Sequence, residues 1–187
     1  MRNVFLIFLV IALCFSCNNR KKEKIAEVNK SKELLKNIKN SAKSTNHFQV
    51  DIEALVEKAD NFQLFYTEDY MLSFSGDSKI TTYVKDSIDY QIIRFNLEEN
   101  IFPERYRFDI GANQNQDKIE INSISVRYEN KEIVISRNYL DEYLIKNEYI
   151  EGQNGNYTLH TIEKNGEVTY DPFFLCSPKF IRLLYRL

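Results

Sequence analysis

From His47 onward the chain alternates. In HFQVDIEAL the apolar Phe48, Val50 and Ile52 are interleaved with the polar Gln49, Asp51 and Glu53. The same two-residue rhythm runs through Phe62, Leu64 and Tyr66, through Ile80, Thr82 and Val84, and through Ile93, Phe95 and Leu97. It is clearest in RYRFDI, where Tyr106, Phe108 and Ile110 alternate with Arg105, Arg107 and Asp109. Successive strand residues point to opposite faces, so this period, carried by aromatic and β-branched side chains, commits the segment to half-buried strands. With 5 Gly and 3 Pro in 187 residues, little interrupts them.

The interruptions are themselves informative. The run from Ile119 and Ile121 to Ile124, Val126 and Tyr128 slips by one residue at Asn122-Ser123, which predicts a β-bulge. Gly111 and the polar residues to Asp117 end the preceding strand. A short turn falls at Glu129–Lys131. Asn165-Gly166 accepts positive φ at both positions and predicts a tight hairpin. Tyr139, Leu140, Tyr143 and Leu144 recur at helical spacing, so a short helix is expected over 138–146. Ser177-Pro178 opens a C-terminal helix, Ser as cap and Pro in the first turn, with Phe180, Ile181, Leu184 and Leu187 as its apolar face. Eight or so short strands with turns between them imply an all-β domain over 47–187, an antiparallel β-sandwich of jelly-roll type with a short internal helix and a C-terminal helix.

The first 46 residues have another texture. Met1-Arg2-Asn3 carries one positive side chain, and Val4–Phe15 is almost wholly apolar. A charged start followed by about a dozen apolar residues is the pattern of a secretory signal, here residues 1–16. The run is too short to cross a bilayer, which takes about 20 residues. Residues 17–46 are polar, with a net charge near +6 (nine Lys/Arg from Asn18 to Asn46, three Asp/Glu). Ile25, Val28, Leu34, Leu35 and Ile38 fall roughly on helical spacing, so this part is expected to be a partly helical stalk.

ALCFSCNN, Ala12 to Asn19, resembles the lipobox of bacterial lipoproteins. The resemblance implies that the thiol of Cys17 receives a diacylglycerol, that the chain is cut between Ser16 and Cys17, and that the new amino terminus is acylated. Cys14 and Phe15 stand where the family has Leu and a small residue, and Cys14 with Ser16 also suits an ordinary small-x-small cleavage site. Either cut removes Cys14. Cys17 and Cys176 then remain, one acylated and one alone, so no internal disulfide is expected. Each buried methylene contributes about 0.8 kcal/mol, so several acyl chains hold where one would not. Arg20, Lys21, Lys22 and Lys24 either add attraction to an anionic surface or form a solvated tether. In this family an Asp after the cysteine retains the protein at the inner membrane; Asn18 here implies the outer membrane.

The strand-rich part is acidic, with fifteen basic and twenty-four acidic residues from His47 to Leu187, net −9, which speaks against nucleic acid as a partner. Only His47, at the stalk junction, and His160, within an expected strand, could serve a triad or an imidazole metal site, and no local signature frames either. No Gly-rich phosphate loop or nucleophile elbow occurs. Glu98-Glu99, Thr67–Asp69 and Gly76–Ser78 offer oxygens of the kind calcium takes, without EF-hand spacing. No cofactor is implied. Arg105, Arg107 and Asp109 on one strand face form the most suggestive polar row. It is either a patch for a sugar or carboxylate, using the rigid guanidinium fork, or a set of cross-strand ion pairs. Tyr70, Tyr83 and Tyr90 could stack on sugar rings.

YRFDIGANQNQDKIEINSISVRYENKEI and YDPFF resemble galactose-binding-like jelly-roll modules, with Arg107-Phe108-Asp109, then the polar turn Ala112–Asp117, then the Ile-rich Ile119–Val126. Together these features lead to the expectation of a non-enzymatic, lipid-anchored envelope protein whose sandwich binds a glycan or an envelope component. The alternatives are a scaffold in an envelope complex and a secreted glycan hydrolase.

Overall fold

The computed structural model describes residues 45–187. The expected signal (1–16), the Cys17 anchor and almost all of the stalk (17–46) lie outside the described residues. No helix among the described residues is long and apolar enough to cross a membrane.

Thirteen strands, β1 Thr45–Val56, β2 Asp60–Thr67, β3 Lys79–Val84, β4 Gln91–Asn96, β5 Arg105–Asp109, β6 Lys118–Glu129, β7 Lys131–Ser136, β8 Leu144–Lys146, β9 Ile150–Gln153, β10 Asn156–Leu159, β11 Ile162–Lys164, β12 Glu167–Thr169 and β13 Phe173–Cys176, form the body. Among the described residues two α-helices accompany them, α1 Leu140–Tyr143 and α2 Pro178–Leu184. The first sheet runs β4-β1-β6-β10-β9, with β7 also paired to β6, and the second runs β3-β2-β5-β13-β8. All pairings are antiparallel, and the two sheets pack as a sandwich. β11 and β12 form a separate hairpin.

The alternation fixes the core. Val50, Ile52, Ile93, Phe95, Ile124 and Val126 turn inward from the first sheet, and Phe62, Leu64, Tyr106, Phe108 and Phe174 from the second. Tyr157 and Phe174 meet edge to face with ring centroids 5.0 Å apart. Each fully buried large side chain contributes about 2–3 kcal/mol over its exposed state. Ser177 caps α2 by accepting from the Phe180 N–H, with Pro178 in the first turn, and Phe180 stacks against Phe108. Phe180, Ile181 and Leu184 are buried as their spacing requires, and Leu187 is half-buried.

The local signals also hold. Glu53 pairs with Ser123 and Ala54 with Ile121, which leaves Asn122 as the bulged residue. Asn165 and Gly166 both have positive φ between Lys164 and its partner Glu167. Two expectations need correction. The helix over 138–146 is only a 3-10 turn, Arg137–Tyr139, plus α1; Leu144–Lys146 is extended instead and pairs with β13. That pairing gives β13 a second neighbour and buries Leu144, which outweighs the weak propensity of a short helix. His160, expected inside a strand, lies just past the end of β10, where its N–H donates to the Tyr149 carbonyl at 3.1 Å.

Candidate functional site

The two outer faces differ in chemistry. On the first sheet, Asp51 of β1 is 5% exposed although it points away from the core. Arg94 on β4 grips it through Nε and Nη2, both at 2.8 Å, and Arg127 on β6 donates from Nη1 at 2.9 Å. Gln49 donates to the same carboxylate, and Arg127 also pairs with Glu132. Burial by itself would raise the Asp51 pKa, but the hydrogen bonds and charges of Arg94 and Arg127 prevail and hold it below the ordinary value. Beside them, Asn122 and Ser123 at the bulge donate to Glu53. This face spends its polar groups on itself.

The second sheet presents cations and rings. Register places Lys79, Phe65, Arg107, Leu175 and Ile145 side by side across all five strands. Lys79 Nζ lies 5.5 Å from the Phe65 ring centroid, and the Arg107 guanidinium lies 5.2 Å from Phe65 and 3.9 Å from Phe173. Such contacts contribute about 0.5–1 kcal/mol each at exposed sites. Arg107 is held flat by Asp109, through Nε at 2.7 Å and Nη2 at 2.8 Å, and by Asp171 at 3.3 Å. The Asp109 side chain is 13% exposed and Asp171 57%. Burial, reinforced by the Asp171 charge, pushes the Asp109 carboxyl up to about 6 despite the opposing pull of Arg107. Tyr83 (62% exposed) and Ile145 (49%) leave apolar surface open on the same face.

The row Arg105, Arg107, Asp109 is therefore real as a strand face but not as a single site. Arg107 and Asp109 join Asp171 in one cluster. Arg105 turns to the loop between β2 and β3, donating to the Leu72 carbonyl at 2.6 Å, its guanidinium 5.1 Å from the Tyr70 ring centroid and 5.0 Å from that of Phe74. Tyr90, one of the three tyrosines singled out, donates to Glu120 on β6 and accepts from Arg137 in the turn after β7. Among the described residues, no three His, Cys, Asp or Glu side chains converge on a common point. Sequence reasoning missed Phe65 and Phe173, because the strand neighbours of Arg107 and Asp109 follow from register, and Asp171, which lies in the loop before β13. It also missed the Asp51 cluster, for which an acid and two arginines on alternating strands are the only trace.

Comparison with protein-family models, with curated proteins and with solved structures finds no match to this chain.

Proposed function

We propose that this chain is a lipid-anchored envelope protein, acylated at Cys17, whose sandwich binds a glycan on the outer face of the second sheet without acting on it. The observation that carries the binding half is the Arg107 cluster: a guanidinium fixed between Asp109 and Asp171 and lying against Phe65 and Phe173. A sugar needs apolar ring faces for its C–H surface and rigid donors and acceptors for its hydroxyls, and this face has both. Lys79 and Arg107 balance Asp109 and Asp171 in charge, so the complementary ligand is uncharged and rich in hydroxyls rather than a polyanion. The resemblance to galactose-binding-like modules points the same way.

A glycan array probed with the full chain and with Phe173→Ala and Arg107→Ala tests this. Binding to neutral glycans that both substitutions weaken at least tenfold supports it; no binding, or binding indifferent to both, overturns it. For the anchor, cells fed a labelled fatty acid should label the wild-type chain and not Cys17→Ser; an unlabelled wild type removes the anchor. A scaffold role is the second reading, favoured by the exposed loop residues Tyr70 (50%), Met71 (85%) and Leu72 (58%) beside the same sheet.

A further inference from the structure

The two ends of the sandwich differ. At one end β1 and β5 begin and β2, β4 and β6 finish: Thr45 pairs with Glu129, Gln49 with Asn96 and Thr67 with Arg105. The loops after β2 and before β5 gather there with the end of α2. Phe102 meets Phe48 of β1 and Tyr128 of β6, with ring centroids 6.1 and 5.5 Å apart. Leu184, Tyr185 and Leu187 share a groove of about 330 Å³ with these three rings. Large apolar side chains meet water here: Met71 is 85% exposed, Tyr185 70%, Leu72 58%, Phe102 51% and Tyr70 50%. The loops of the opposite end are mostly polar, with Asp86, Asp89, Asn113 and Asn115, and carry Ile88, 90% exposed, between β3 and β4.

Charged side chains fix the backbone of this apolar end. The Phe102 N–H donates to Glu68 at 2.9 Å, the Tyr70 N–H to Glu104 at 2.8 Å and the Met71 N–H to Asp69 at 2.8 Å, while the Leu72 carbonyl accepts from Arg105 at 2.6 Å. Carboxylates are turned back onto the loops and apolar side chains are held out to water, the reverse of the usual allocation. A contiguous apolar surface rimmed by polar groups marks a site of contact with a protein or a membrane. The chain outside the described residues decides between them. It joins the body at Thr45, at this end, so an anchor at Cys17 turns this end and not the other towards the bilayer. Residues 17–44 could reach about 95 Å if fully extended, so the tether alone does not press the body to the surface.

We propose that this end of the sandwich docks on a lipid bilayer, with Met71, Leu72, Phe102 and Tyr185 seated in the interfacial layer. This orientation rests on the lipid-anchored reading above and leaves both outer sheet faces in water. Tyr suits that depth, its ring apolar and its hydroxyl wet. Interfacial binding scales with the apolar area buried, and tethering raises the local concentration enough for a weak contact to be occupied. Glu98, Glu99 and Glu129 at the same end oppose an anionic surface, so the complementary bilayer is zwitterionic.

The chain has no tryptophan, so Met71→Trp and Ile88→Trp each supply a sole indole, one at either end. The full chain with either substitution is reconstituted in phosphatidylcholine vesicles whose acyl chains are brominated, and emission is read per vesicle-bound chain. Met71→Trp should shift to the blue and be quenched at least threefold, Ile88→Trp should show neither change, and Leu72→Ser with Phe102→Ser should return Met71→Trp to its emission in water. No quenching of Met71→Trp, equal quenching at both ends, or quenching that survives the two serines overturns docking. So does a blue shift of Met71→Trp that grows with protein concentration in the absence of vesicles, which assigns the patch to a second copy. Cys17→Ser tests the anchor separately: an unaltered bound fraction with the contrast between ends intact fails the anchor alone, and a lowered bound fraction with no contrast fails the docking surface alone. All four reporter and serine positions are more than half exposed, and circular dichroism checks that each variant folds.

Discussion

Asp109 gives a pH signature whose sign can be worked out in advance. Its carboxyl titrates near 6 in the folded protein and near 3.9 in the unfolded chain. The folded state therefore binds the proton more tightly, and ionised Asp109 costs stability. That cost is fully present above about pH 6, shrinks as the pH falls, and is gone below about 3.9. Two units correspond to about 3 kcal/mol, a ceiling for a side chain that still meets some solvent. Asp109→Asn removes the titration while keeping the size and one acceptor for Arg107. Urea unfolding of both chains at pH 7, 6, 5 and 4 isolates the effect, since every other group cancels in the difference. The wild type should gain about 1–3 kcal/mol relative to Asp109→Asn between pH 7 and pH 4, most of it below pH 6. A flat difference, or one in which the wild type loses ground on acidification, would refute the argument that burial and Asp171 outweigh Arg107 at this carboxylate.

Asp51 should behave in the opposite sense. Its folded pKa is lowered, so its contribution is present above about pH 3.9 and is lost as the pH falls through the folded value; acid unfolding of Asp51→Asn should lack that loss. At pH 7 the same substitution should cost about 1–3 kcal/mol by urea unfolding, below the usual cost of breaking a buried pair because the Arg94 and Arg127 side chains are 50% and 40% exposed and can recruit water. Gly111→Ala should cost about 2–4 kcal/mol by thermal or urea unfolding. Gly111 has φ +112°, and an added Cβ would stand 2.0 Å from Asp60 Oδ2, which accepts from the Asn113 N–H in the turn before β6.

The sequence carried the strands because their cause is local. A period of two, a glycine after Ile110 and an Asn-Gly pair act within a few residues, and each appears in the fold where the pattern puts it. The bulge at Asn122 was equally legible, since a one-residue slip in an apolar rhythm must be absorbed somewhere if both halves are to face the core. Leu144–Lys146 was not: three residues with helical spacing became an edge strand because β13, thirty residues away, had an open side. The site divided along the same line. Arg105, Arg107 and Asp109 could be placed on one face from their spacing, but only register sets Phe65 beside Arg107 and Phe173 beside Asp109.

The two outer faces carry the same contrast in their electrostatics. Both have an arginine gripping an aspartate with two bonds, Arg94 on Asp51 and Arg107 on Asp109, yet the carboxylates move in opposite directions. Asp51 has a second guanidinium, and Asp109 has a second carboxylate. The added cation stabilises the ionised carboxylate of the first cluster, whose guanidiniums stay about half exposed. The added anion, Asp171, more than half exposed, opposes ionisation of the Asp109 carboxyl. Burial raises both carboxyls; the second guanidinium reverses that at Asp51, and the second carboxylate adds to it at Asp109.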